Sequence, residues 1–311
     1  MNNRFHIESL VDFVLMATIL LSACATPPAS TPTLTPTTAP VPITTSIPAT
    51  NTPPPVGISL LSKSPELILA SNKPERKTSW PGNVVYAMPE MDEVLLASEL
   101  TYYNDLKVDV YYPPSYNFDA KLPIVILAHG FQETDEYDKD MPQHTDWAKL
   151  IAASGMIVVS AQAGSAPVEN SYRVLDFLAA NADILGLDLT RIGFWACSGQ
   201  GGPAFKALQD EKLPYRDAFK AAIFTYLDFN SADPSVWPQN LSQFVVKAGR
   251  DQNIPGETID NFVDQARASK IPTEYIELAD APHAFDVLQN TQASKDTIQQ
   301  ALQFLKDRLL P

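Results

Sequence analysis

The chain has 311 residues, of which 45% are hydrophobic and 19% charged, an ordinary globular composition. Its net charge of −14 argues against a nucleic-acid partner, which would need phosphates neutralised, and suits a soluble protein outside the cytoplasm. The 27 prolines against 12 glycines depart from the average, and they are concentrated locally.

Arg4 precedes a mostly apolar run from Val11 to Leu21, in which Asp12 is the only charge. The run is too short to span a membrane comfortably and has the form of a targeting segment. It ends Leu21-Ser22-Ala23-Cys24, which resembles a bacterial lipobox, where small residues precede a cysteine that becomes the lipidated N-terminus. On that reading residues 1–24 are a lipoprotein signal. Cys24 then anchors the mature protein to the membrane on the extracytoplasmic side rather than spanning it. The alternative is an ordinary secretory signal with an incidental cysteine. With Cys24 lipidated, Cys197 has no partner, so no disulfide framework supports the fold and a hydrophobic core must.

Residues 25–62 contain no charged residue, and Thr26–Pro55 holds ten prolines. Such a stretch cannot bury apolar surface and favours extended conformations, which suits a linker or stalk. From Lys63 to residue 311 the texture is that of one folded domain. Val94–Tyr102 and Leu106–Tyr112 largely alternate apolar and polar residues and read as an antiparallel pair turning at Asn104-Asp105.

Runs without alternation follow: Ile124–Leu127, Ile157–Val159, Ile192–Trp195, Ala221–Phe224 and Phe244–Val246. These suit strands buried on both faces of a parallel sheet. Helical spacing separates them, at Trp147, Leu150 and Ile151, then at Tyr172, Leu175 and Leu178. It recurs at Ile259, Phe262, Val263 and Ala266, and finally at Ile298, Ala301, Leu302 and Leu305. The expectation is a single α/β domain with a mostly parallel sheet of about eight strands and no large lid.

The stretch Phe194-Trp195-Ala196-Cys197-Ser198-Gly199-Gln200-Gly201-Gly202 ends one apolar run with two adjacent nucleophiles and a set of glycines. Acyl transfer needs a nucleophile on a sharp strand-to-helix turn, a base, an acid to orient the base, and donors for the oxyanion. Of the four histidines, His6 belongs to the targeting segment and His144 reads as a solvated surface residue. His283, in a loop after the strand Glu274–Leu278, is placed to reach the sheet's C-terminal edge, and His129 follows Ile124–Leu127. Asp251 closes Phe244–Val246 beyond Gly249 and is the candidate acid; Asp228 is its rival.

Four stretches together carry a resemblance: Leu127-Ala128-His129-Gly130-Phe131, Arg191–Ser198, Gly249-Arg250-Asp251 and Pro282-His283-Ala284-Phe285. From about residue 94 to 311 the chain resembles the α/β hydrolases, and within them the dienelactone hydrolase-like branch. The resemblance implies a serine hydrolase cleaving carboxylic esters, with Ser198, Asp251 and His283 as triad and no metal or organic cofactor. The oxyanion would be held by the backbone N–H groups of Gly199 and Phe131, with Gln132 and Gln200 as possible substrate contacts.

A nucleophile elbow crowds the residues two before and two after the nucleophile. Ser198 places Ala196 and Gln200 there, whereas Cys197 places Trp195 and Gly199. Indole is the worse fit, and an exported thiol without a resolving partner faces oxidation, so Ser198 is preferred. Gln200 delays the glycine pair by one residue. The expectation is a widened first helical turn, or unusual dihedrals at Gly199 and Gly201, with Gln200 near the pocket. Two rival readings remain. Gly199-x-Gly201-x-x-Ala204 with Asp228 has the skeleton of a dinucleotide fingerprint, and a hydrolase fold can serve a non-catalytic ligand- or partner-binding lipoprotein.

Overall fold

The computed structural model describes residues 55–74, 82–128 and 139–311. The alternating segments form the antiparallel pair β2 (Leu95–Tyr103) and β3 (Leu106–Tyr112), with β1 (Ile68–Leu69) added along β2. Asn104 turns the pair over at φ +48°, a left-handed conformation that Asn tolerates better than most residues. The unalternated runs become β4 (Leu122–Leu127), β5 (Ile157–Ala161), β6 (Leu187–Cys197), β7 (Phe219–Thr225) and β8 (Ser242–Ala248), and β9 (Thr273–Leu278) closes the set.

The strand order is β1-β2-β3-β5-β4-β6-β7-β8-β9, antiparallel through the β3–β5 pair and parallel from β5 onward. Among the described residues the sheet has nine strands, in keeping with the expected eight or so, and the two-residue β1 is the one that leaves no run to read.

Helices cover both faces, which is why the central strands do not alternate. Along β6, Phe194 and Ala196 belong to one core layer and Trp195 and Cys197 to the other. The first layer packs under α2 (Pro167–Ala180), α4 (Gly201–Gln209) and α5 (Gly256–Ala268), with α3 (Ala182–Leu185) following α2. The second packs under α1 (Pro142–Ala153) and α7 (Gln292–Leu309), with the single turn α6 (Phe285–Leu288) before α7. Gly193 lets α7 lie close on β6: a Cβ there would come within 3.0 Å of Leu309 Cδ1 and 3.3 Å of Val125 Cγ2.

The folded body takes in the end of the uncharged stretch 25–62. Ile58 pairs with Tyr103, and the Asn181 side chain accepts from the Leu61 N–H at 2.8 Å and donates to the Ser59 carbonyl at 3.0 Å.

A cluster of buried charge lies beside β3. Lys139 Nζ donates to Glu99 Oε1 at 2.5 Å, Asp109 Oδ2 at 3.0 Å and Asp140 Oδ1 at 3.0 Å, and Lys73 bridges Asp109 and Asp140. The ammonium of Lys139 is the cation these three carboxylates hold, and it ties the segment leading into α1 to β2 and β3. Burial alone would push the Asp140 carboxyl up, but Lys73 and Lys139 outweigh it and hold it below the ordinary 3.8. Burial would likewise lower both lysines, but the carboxylates outweigh it and raise them above 10.5.

Removing one partner leaves buried charge uncompensated. Asp109→Asn is therefore expected to cost about 3–5 kcal/mol in urea unfolding at neutral pH. The depressed Asp140 gives stability that is complete above 3.8 and lost as the pH falls through its folded value. The raised lysines give stability that is complete below 10.5 and lost as the pH rises through theirs. The gap between wild type and variant should thus narrow at both extremes. A gap constant with pH would contradict this ion-pair account.

Candidate active site

β6 ends at Cys197, whose backbone is extended at φ −137°, and Ser198 follows at φ +53°. A left-handed residue other than glycine is costly and reverses the chain abruptly. The Asp228 N–H donates to the Ser198 carbonyl at 2.7 Å and holds that reversal from the end of β7. The chain then makes one 3-10 turn, Ser198–Gln200, before α4 begins at Gly201.

Three side chains converge there. Ser198 Oγ lies 2.9 Å from His283 Nε2, and His283 Nδ1 lies 2.8 Å from Asp251 Oδ2. A carboxylate can only accept, so Nδ1 carries the proton and Nε2 is left to accept from the serine hydroxyl. Asp251 Oδ1 is itself held by the N–H groups of Asn253 at 2.8 Å and Ile254 at 3.0 Å. The Asp251 side chain is 1% exposed and that of His283 15%, so the carboxylate is shielded while the imidazole edge reaches the cavity. Gly249 makes this approach possible. A Cβ there would meet the Ala279 carbonyl oxygen at 2.4 Å, so only glycine lets the end of β8 run against the loop that carries His283. The rival acid Asp228 turns instead to its own loop, accepting from the Asn230 N–H at 3.0 Å.

A cavity of about 180 Å³ opens over the three groups, lined among others by Gly199, Gln200, Tyr226 and Asn253. Cys197 also lines it, but as a buried thiol that donates to Gln200 Oε1 at 3.4 Å. Burial pushes that thiol well above its ordinary value, and the Asp286 charge acts in the same direction. Phe131, Gln132, His129 and Cys24 lie outside the described residues.

Two expectations from the sequence need correction. The extra residue at Gln200 neither widens the first helical turn nor distorts the glycines. The turn is tightened to 3-10 form, Gly201 is ordinary at φ −65°, and Gly199 has no positive φ. Within this turn the left-handed residue is Ser198, and the Gln200 side chain folds inward to Cys197 and His144. The second correction concerns His144, read as solvated from its polar neighbours. It is fully buried, with its Nε2 2.9 Å from Gln200 Nε2 and its ring edge-on to Trp195 at 5.8 Å. An amide nitrogen can only donate, so that ring nitrogen is unprotonated.

Sequence reasoning passed over Gln143, Tyr226 and Asp286, which join beneath the cavity. Gln143 Nε2 donates to Tyr226 OH at 2.7 Å and to Asp286 Oδ2 at 2.9 Å. A usable signal was present: Asp286 is the only charge in the apolar stretch Ala281–Leu288.

No protein-family model matches the chain, and no curated protein matches it in sequence. Solved structures do match. The apo form of Thermogutta terrifontis esterase 2 has a TM-score of 0.57 at 18% identity, over 72% of this chain and 98% of that one. The same esterase phosphorylated by paraoxon gives 0.56 at 18% identity over 72% and 98%. A fungal esterase of Rhizomucor miehei gives 0.55 at 13% identity, over 70% of this chain and 84% of the other. The chain has the α/β-hydrolase fold. The dinucleotide-type glycines belong in this fold to the turn after β6, not to the first strand of a nucleotide-binding unit.

Within the α/β-hydrolase fold the two neighbouring nucleophiles are thus in different states, one strained and facing His283, the other extended and protonated. Iodoacetamide at pH 8, followed by peptide mapping, is expected to leave Cys197 unmodified in the native protein and to alkylate it in guanidinium. Rapid native alkylation would contradict a buried, protonated thiol.

Proposed function

We propose that the protein is a carboxylic ester hydrolase of the dienelactone hydrolase-like kind, working through Ser198, His283 and Asp251. The observation that carries this reading is the hydrogen-bonded chain Ser198 Oγ–His283 Nε2, His283 Nδ1–Asp251 Oδ2 at the mouth of a cavity. Esterases among the structural neighbours support it.

Ser198 Oγ attacks the ester carbonyl carbon while His283 Nε2 takes the hydroxyl proton. The carbonyl electrons move onto oxygen, where the N–H of Gly199 and that of Phe131 hold the negative charge. As the carbonyl re-forms, the bond to the alcohol oxygen breaks, and His283 returns its proton to that oxygen. Water then adds to the acyl-serine with its proton going to His283, and collapse releases the acid and restores the Ser198 hydroxyl. Asp251 keeps the imidazole in the right tautomer and offsets its charge while it is cationic. No step asks for a metal or organic cofactor.

The cavity volume favours small acyl groups, in keeping with structures of the Thermogutta esterase bound to propionate and to butyrate. Gln200 and Gln132 are the side chains we would place near the substrate. The amide of Gln200 is engaged by Cys197 and His144, so its contact would be through its stem or by exchanging those partners. The cellular setting follows from the N-terminal segment. Lipid on Cys24, a Thr- and Pro-rich linker and a soluble domain make a hydrolase held at the outer face of a bacterial membrane.

Turnover of p-nitrophenyl acetate by single-residue variants tests the assignment. Ser198→Ala should lower kcat/KM by at least about 10³-fold, and Asp251→Asn by about 10²–10⁴-fold. Cys197→Ala should stay within about threefold, the scale of a small packing change. Loss of turnover in Cys197→Ala with retention in Ser198→Ala would overturn the reading.

A further inference from the structure

Asp286 is a buried carboxylate that the reaction above does not use. It is fully inaccessible, and among the described residues it has no cationic partner. Three neutral donors surround it instead: Trp147 Nε1 at 2.7 Å and Gln143 Nε2 at 2.9 Å on Oδ2, and Tyr226 OH at 2.7 Å on Oδ1. The direction of each bond is fixed. Indole and amide N–H groups can only donate, and the phenol already receives the second Gln143 proton at 2.7 Å, so its own proton points to Asp286. All three partners therefore call for an ionised acceptor. Burial pushes the carboxyl above its ordinary 3.8 and outweighs the three donors, which act against that push.

The location gives this arrangement its meaning. Asp286 is three residues beyond His283, in a one-turn helix entered through Ala284 at φ +54°. Tyr226, itself at φ +39°, presents its ring to the His283 imidazole at 4.7 Å between centroids and 62° between planes. Two residues in left-handed backbone thus flank the imidazole, a conformation that side-chain-bearing residues adopt only when their surroundings hold them there. The carboxylate bonds across both of these segments to α1. The imidazole is gripped at Nδ1 by Asp251 and on its side by a phenol ring, and that ring is kept from turning by Asp286.

We propose that Asp286 is a positioning residue for His283, acting through Tyr226: the carboxylate locks the phenol, and the phenol ring fixes the imidazole between Ser198 and Asp251. Gln143 and Trp147 complete the lock from α1. The proposal rests on His283 being the general base of the reading above, so its test includes a measurement that does not involve turnover.

The full chain is labelled with ¹⁵N-histidine, which gives only four imidazoles to resolve. The downfield proton on His283 Nδ1 is followed in wild type, Tyr226→Phe, Asp286→Asn and the double variant, alongside kcat and KM. Asp286→Asn places an amide N–H against donors. It should lower kcat by up to about 10²-fold, the scale of an ångström of misplacement, with KM within about twofold. Tyr226→Phe keeps the ring but frees it and should lower kcat by about tenfold, and both variants should broaden or shift the His283 proton. The double variant should be no worse than Asp286→Asn alone, since both changes break one coupled unit.

Folded variants with unchanged kcat and an unmoved His283 resonance would overturn the proposal. So would additive losses in the double variant, which mark two independent structural roles. If Asp286→Asn fails to fold, Tyr226→Phe alone decides, because it removes only the two bonds of the phenol, to Gln143 and to Asp286, and leaves the carboxylate its Trp147 and Gln143 donors. If wild type turns over no ester, the general reading fails while the resonance still reports whether Asp286 holds the imidazole.

Discussion

The backbone of Ser198 is the constraint on which the rest of the site depends. A serine at φ +53° at the end of the sheet's longest strand is held there against its own preference. Asp228 fixes its carbonyl from above, and the chain below it cannot relax because Gln200 is drawn inward to Cys197 and His144. The reversal lifts the hydroxyl clear of β6 and turns it to His283. Everything else that gathers at this edge comes to meet a group whose place the backbone has already decided.

The polar residues under the cavity explain how that strain is contained. Consecutive residues of α1 reach three different segments, His144 the turn after β6 and Gln143 both Tyr226 after β7 and Asp286 in α6. A buried polar group without a partner costs free energy, but a satisfied chain of them rigidifies what it joins. The first turn of α1 thus braces the loops that carry Ser198 and His283. The Lys139 cluster plays the same part a few residues earlier, pinning the entry to α1 against β2 and β3.

Much of this was legible in the residues. The unalternated runs at Ile124–Leu127, Ile192–Trp195 and Ala221–Phe224 had the periodicity of doubly covered strands, and they are such strands. Ser198 and Asp251 could be singled out because each follows a buried run, and His283 because it follows the strand Thr273–Leu278, at the edge where a parallel sheet collects its loops. The corrections share one cause. Gln200 and His144 are polar residues whose partner lies 56 positions away, and local sequence says nothing about a bond of that span. The short β1 left no pattern at all. Tyr226 is hidden for the same reason as His144, since a buried polar residue looks exposed until its partner is known, whereas Asp286 stands out as the only charge in Ala281–Leu288.

The central claim is that the reactive atom is the oxygen of Ser198 and not the adjoining sulfur. Inactivation by paraoxon, followed by fragmentation of the peptide that spans Ile192–Lys206, tests it directly. The account predicts a single diethylphosphoryl group on Ser198 that appears in step with loss of ester turnover and is absent from His283→Ala. Phosphorylation of Cys197, or inactivation that leaves Ser198 unmodified, would contradict it.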